Sequence, residues 1–133
     1  MSPEDIAKKG YADFMRGDIA AVLQSLDENI EWITPDIGMS PGGTYKGHAG
    51  VAQFFQQVGE AWEFQAFEPK QYIASANQVV ACGSYTMTAR STGRQGSCDW
   101  AMVWTIGDGK VVRFQEYTDS ALLKDLLTAR ASA

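Results

Sequence analysis

An α+β fold is predicted, in which a curled antiparallel sheet forms a conical barrel with N-terminal helices on its concave face and a short C-terminal helix. Three features of the 133-residue sequence point to it. Apolar residues recur at helical spacing through most of the chain up to Trp62, alternate at strand spacing from Phe64 onward, and return to helical spacing after Ser120. Helices gathered ahead of a run of strands pack on one face of an antiparallel sheet. A cone of that kind leaves a cavity between helices and sheet, the usual place for a small apolar ligand.

Each element has its own signal. Ile6, Tyr11, Phe14 and Met15 recur near a helical period, and Gly17 ends that helix. Asp18 caps a second helix carrying Ile19, Val22, Leu23 and Leu26. Asn29 to Thr34 is a short strand containing Trp32, and Pro35 to Gly47, rich in proline and glycine, is a loop. Val51, Phe54, Phe55, Val58 and Trp62 form one face of a third helix. Phe64 to Ile73 is extended. Gln78 to Arg90 alternates, with Gly83, Tyr85, Met87 and Ala89 assigned to the interior. Ser91 to Gly96 then turns the chain into the strand Ser97 to Ile106. A last helix starting near Ser120 presents Leu122, Leu123, Leu126 and Leu127 on one side.

The stretch from Trp100 to Asp119 reads as one β-hairpin around Asp108-Gly109, a dipeptide that tolerates the positive φ angles of a two-residue type I′ turn. An unbroken register from that turn sets Trp104 against Arg113, Met102 against Gln115, Trp100 against Tyr117 and Cys98 against Asp119. Asp119 would then stand in an apolar pocket beside Trp, Met and Tyr, while Glu116 and Asp99 would face the other way. A three-residue turn with a bulge would reverse one strand's faces.

Composition narrows the function classes. The length suits a single domain over residues 1–133, with 45% apolar and 20% charged residues. A net charge of −5 and the absence of a basic cluster beyond Lys8-Lys9 argue against nucleic acid as a partner. No apolar run has the length of a membrane span, and Met1 to Asp5 does not resemble a secretion signal, so a cytoplasmic location is expected. Two cysteines, Cys82 and Cys98, and one histidine cannot complete a zinc site without carboxylates, so no metal is expected.

Arg16-Gly17-Asp18, Glu31-Trp32, Gly43-Thr44-Tyr45-Lys46-Gly47, Phe67-Glu68-Pro69, Thr92-Gly93-Arg94 and the run Arg113 to Asp119 occur in an order and spacing that resembles the SnoaL-like polyketide cyclases. These belong to the larger group sharing the nuclear transport factor 2 and ketosteroid isomerase fold. The resemblance implies a conical α+β fold, usually a homodimer, working without metal or organic cofactor. It also implies a general acid/base at the position of Asp119, assisted in the cyclases by a histidine whose position falls on Met102. Ketosteroid isomerases would place a base near Ile33-Thr34. Limonene epoxide hydrolases would place an Arg and a second Asp where this chain has Gly83 and Tyr85.

The candidates carry two readings each. Asp119 is either the proton shuttle or the N-cap of the last helix, because Thr118-Asp119-Ser120 immediately precedes it. Tyr85 and Tyr117 either polarise a carbonyl or serve as wall. Trp32, Phe55, Trp62, Met87, Trp100, Met102 and Gln115 either touch ligand or fill core, with the cavity mouth as the alternative place for Trp62 at the end of its helix. His48 is solvent-facing or capping at the start of the third helix. The leading expectation is acid/base cyclisation or isomerisation of a small apolar carbonyl compound, polyketide- or steroid-like. Its rivals are a non-catalytic binding protein of the same fold and a structural dimer built on Val103, Val112 and Phe114.

Overall fold

The computed structural model describes residues 1–129. Its elements run α1 (Pro3–Met15), α2 (Ile19–Gln24), β1 (Leu26–Thr34), β2 (Gly43–Lys46), α3 (Gly47–Ala61), β3 (Trp62–Ser75), β4 (Gln78–Ala89), β5 (Gln95–Gly107), β6 (Lys110–Thr118) and α4 (Ser120–Leu127). The six strands form one curled, unclosed sheet in the order β2-β1-β6-β5-β4-β3. The α+β class holds, but the sheet is mixed, since β1 runs parallel to β6 while every other neighbour is antiparallel.

Local chemistry explains the helix starts. Ser2 and Asp5 form a reciprocal capping box ahead of α1, with Pro3 in the first turn, where its missing N–H costs nothing. Asp18 caps α2 by accepting from the Ala21 amide at 3.0 Å. Asp13 is buried on α1, and its charge is met by Lys9 at 2.6 Å and Arg16 at 2.7 Å. At Gly10 a Cβ would lie 2.8 Å from Trp104 Cη2, so the missing side chain lets α1 lie directly on the sheet.

Two sequence expectations change in the loops. Gly43–Lys46 lies within the predicted loop, yet it pairs with β1 from Glu31↔Lys46 to Thr34↔Gly43 and becomes the edge strand β2. Leu26, assigned to the second helix, opens β1 instead. Four residues are the shortest run over which alternation can be read, and Leu26 fits the helical spacing of Val22 and Leu23 as well as it fits the strand that follows.

The hairpin holds the most consequential difference. The turn is the two-residue type expected, with φ of +50° at Asp108 and +77° at Gly109. Ile106 pairs with Val111, but the next pair is Thr105 with Arg113, leaving Val112 without a partner. That bulge reverses the faces of the rest of β6. The inward pairs are therefore Trp104↔Phe114, Met102↔Glu116 and Trp100↔Thr118. Phe114 is buried and stacks on Trp32 with ring centroids 3.8 Å apart.

The core lies between the inner sheet face and α1 and α3. Alternation in β4 buries Val79, Ala81, Tyr85, Met87 and Ala89, as their spacing predicts. The last helix, α4, is held at its far end by the segment that connects β4 to β5. Thr92 donates to the Leu126 carbonyl at 2.6 Å, and Arg94 bridges Asp125 at 2.6 Å. No helix among the described residues is long and apolar enough to cross a membrane.

Candidate functional site

Beneath α1 and α3 the sheet encloses a hollow of about 100 Å³ with almost wholly apolar walls. The sheet contributes Trp32, Tyr85, Met87, Met102, Trp104 and Phe114, and the helices contribute Tyr11, Phe14, Phe54, Phe55 and Val58. Pro35, Ile37 and Pro41, from the segment between β1 and β2, reach the same space. Glu116 is the one acidic or basic side chain among the described residues that line it.

Glu116 sits there because of the bulge at Val112. Part of its surface opens to the hollow, but protein surrounds the carboxyl, so it is desolvated rather than hydrated. Burial pushes its pKa up to about 7, against an opposing pull from the hydrogen bond with Tyr85. The Tyr85 hydroxyl lies 3.2 Å from Glu116 Oε2 and 2.7 Å from Thr118 Oγ1. Thr118 in turn donates to the Asp99 carbonyl at 3.3 Å and lies 3.4 Å from Cys98 Sγ.

One hydroxyl hydrogen cannot serve both neighbours of Tyr85 at once, so this chain has two directions. With Glu116 neutral, its proton points to the Tyr85 oxygen, Tyr85 donates to Thr118, and Thr118 donates to the Asp99 carbonyl. With Glu116 ionised, Tyr85 donates to the carboxylate and Thr118 donates to Tyr85. Both protonation states therefore keep satisfied partners, the arrangement a proton carrier needs. The Tyr85 phenol itself is driven far up by burial and by the nearby carboxylate, so it stays protonated.

Opposite Glu116, the Met102 thioether accepts from Tyr11 at 3.2 Å, and the Tyr11 oxygen accepts from Trp104 Nε1 at 2.8 Å. Burial drives the Tyr11 pKa far upward as well. Among the described residues no group of three or more His, Cys, Asp and Glu side chains could hold a metal ion.

A family model of the SnoaL-like domain matches residues 7–114. The chain belongs to the SnoaL-like domain family. This SnoaL-like chain is similar to an NTF2-like protein of unknown function from Burkholderia pseudomallei K96243, with 33% identity over 97% of this chain and 100% of that one, at a TM-score of 0.87. It is also similar to an NTF2-like protein from Burkholderia thailandensis E264, with 29% identity, 97% and 99% coverage and a TM-score of 0.89. A third similar structure is TerC, co-crystallised with polyporic acid, with 26% identity, 94% and 97% coverage and a TM-score of 0.82. No curated protein matches the chain.

On this SnoaL-like framework the residues singled out from sequence separate into two groups. Trp32, Phe55, Trp62, Tyr85, Met87 and Met102 line the hollow. Trp100 is buried just behind it, stacked on Phe67 at 5.3 Å. Asp119 does not enter. It is exposed and caps α4, accepting from the Leu122 amide at 3.0 Å. Tyr117 is 52% exposed, and Gln115 lies on the outer face, taking a hydrogen bond from Arg113 at 2.9 Å. Phe114, expected from sequence at a dimer interface together with Val103 and Val112, is buried inside. His48 lies in the first turn of α3 with Nε2 2.8 Å from the Leu26 carbonyl oxygen.

The bulge accounts for all of these reversals on β6, and one signal for it is present in the sequence. The unbroken register puts Arg113 and Gln115 in the core and Phe114 outside, which is unfavourable on both counts. Val111 and Phe114 are apolar residues of opposite parity on one strand, the mark of an extra residue between them.

Proposed function

We propose that this SnoaL-like chain binds a small apolar carbonyl compound in the hollow beneath its helices and moves a proton on it, in a cyclisation or an isomerisation, with Glu116 as the proton carrier in place of Asp119. The observation that carries this reading is a single desolvated carboxyl, held by Tyr85, within aromatic walls. With its pKa near 7, Glu116 populates acid and base forms comparably at neutral pH, as general acid/base work requires. As carboxylate it takes a proton from the carbon beside the carbonyl, and the C–H electron pair moves into the enolate. The resulting acid returns the proton at the carbon where the product needs it. Tyr85 holds the carboxyl in position.

Size narrows the substrate. A dry cavity of about 150 Å³ accommodates benzene, so a hollow of about 100 Å³ excludes a four-ring skeleton and takes a single ring with a short substituent only as its walls move outward slightly. That a 26%-identical relative was co-crystallised with polyporic acid supports a small organic occupant.

Binding without turnover is the second reading. It is favoured by Met102, which faces Glu116 across the strand pair and offers a thioether engaged with Tyr11 instead of a second proton-transfer group. Deuterium incorporation at the α-carbon of acetophenone in D2O, followed by NMR, separates the two. The wild-type chain should accelerate exchange, Glu116→Gln should lose about 10²-fold or more of that acceleration, and Asp119→Asn should retain it. Binding of acetophenone with no exchange would establish the second reading.

We also propose a homodimer joined through the outer sheet face, where Val80 and Val103 stand partly accessible as a cross-strand pair, with Ile33 in the same row beyond Gln115 and exposed Tyr117 on β6. Sedimentation of the wild-type chain and of Val103→Lys tests it, a dimer in the first and a monomer in the second being the expected pair.

A further inference from the structure

The donors around the hollow differ in what they bind. Tyr11 donates to Met102, Thr34 to the Gly43 carbonyl at 3.2 Å, and Trp104 to Tyr11. Trp32 does not follow them. Its ring is 4% exposed, lines the hollow, and its Nε1–H has no partner. A buried indole N–H left unpaired costs on the order of 1–3 kcal/mol, so its retention needs a reason. The neighbouring rings give none, because Phe54, Phe55, Trp104 and Phe114 pack on the indole without an acceptor oxygen.

Position on the sheet supplies the reason. Trp32 pairs with Phe114 in the parallel register of β1 and β6, and Glu116 lies two residues further along β6 on the same inward face. Sheet spacing sets the backbones of Trp32 and Glu116 on the order of 8 Å apart. Trp32, whose N–H lacks an acceptor, and Glu116 therefore line the same hollow, with backbones separated by about the width of a ring and a substituent.

We infer that Trp32 Nε1–H is the hydrogen-bond donor for the ligand's carbonyl oxygen, so that the hollow selects single-ring compounds whose carbonyl lies at Trp32 and whose exchangeable proton lies at Glu116. This rests on the proposed function for the site and names the group that gives the ligand its orientation. The donor strengthens as negative charge develops on the oxygen, which favours the enolate over the ketone. Neutral or anionic oxygen is accepted, while a hydrocarbon of the same shape leaves the indole unpaired. Trp100, whose Nε1 is also unpartnered and buried but which lies behind the hollow, is the internal control.

The test uses acetophenone and ethylbenzene, which differ in one oxygen. Wild-type protein should bind acetophenone about tenfold more tightly than ethylbenzene after correction for their partition into apolar solvent. Trp32→Phe retains an aromatic side chain but removes the donor, so it should abolish that preference whatever it does to the affinity for the two compounds together. Trp100→Phe should not alter the preference. Indole N–H resonances of the wild-type chain give a reading that needs no variant: acetophenone should move the Trp32 signal downfield, and ethylbenzene should not. A preference that survives Trp32→Phe, or an unmoved Trp32 signal with acetophenone bound, overturns the assignment and leaves the cavity reading standing. If neither compound enters the wild-type hollow, the proposed function fails and this assignment fails with it.

Discussion

Glu116 and Asp119 stand three residues apart at the end of the same hairpin, yet they live in different solvents. Glu116 is on the inner face of β6 among aromatic rings, with its pKa raised to about 7 by burial. Asp119 is exposed and uses its side chain on the Leu122 amide, a helix-starting duty. Side-chain chemistry does not separate them, because both are carboxylates of similar intrinsic acidity. The unpaired Val112 does, since it decides which side of the sheet each later residue of β6 faces. Which carboxyl faces the hollow is therefore specified here by register first and by residue type second.

Truncating Phe114 is the most severe way to break the comparison. Phe114→Ala removes the buried ring that the bulge turns onto Trp32 and leaves a void in the core beside it. Destabilisation of about 3–5 kcal/mol is expected, visible as a collapse of the urea midpoint and of the near-ultraviolet tryptophan signal. A variant that keeps the wild-type midpoint would show that this ring is not what holds the inner face of β6 in place.

The pH dependence of stability sharpens the same contrast from the Glu116 side. Below about pH 4.5 the carboxyl is protonated in both folded and unfolded chains and costs nothing. As pH rises from there to about 7 the unfolded chain releases the proton while the folded chain holds it, so stability falls. Above 7 the accumulated cost levels off at about 3 kcal/mol, from about 1.4 kcal/mol per pH unit. Glu116→Gln removes it. That variant should be more stable than wild type at pH 8.5 by up to about 3 kcal/mol, with the difference shrinking toward pH 4.5 in paired urea titrations. Equal stability at pH 8.5 would mean that water reaches the carboxyl. Tyr85→Phe acts in the opposite sense to a release of burial: it deletes the hydrogen bond that lowers the Glu116 pKa, so the midpoint of α-proton exchange should move above 7.

These features differ in how far the sequence displays them. The helices, the alternation of β4 and the Asp108-Gly109 turn are local patterns, and each is legible from residues a few positions apart. The aromatic walls follow from the same patterns, which is why Trp32, Phe55, Met87 and Met102 are found on the inner side. Glu116 was hidden because its orientation depends on one unpaired residue four positions earlier, which only the opposite parity of apolar Val111 and Phe114 betrays. The parallel pairing of β1 with β6 was hidden for another reason. It joins strands about 80 residues apart by sheet geometry alone, and neither strand carries a partner's signature.

The smallest expected effect belongs to Asp119, and it is the one that most cleanly divides the two carboxylates. Asp119→Ala takes away the acceptor for the Leu122 amide at the start of α4, a loss worth about 1 kcal/mol. Because α4 stays anchored at its other end by Thr92 and Arg94, the damage should be confined to its first turn. Amide hydrogen exchange at Leu122 and Leu123 should speed up about fivefold, matching that energy, while the pH profile of acetophenone α-proton exchange keeps its midpoint near 7. A profile that shifts or vanishes in Asp119→Ala would return the proton-carrying role to position 119, for a cap has no way to set the protonation of a carboxyl on the far side of the sheet.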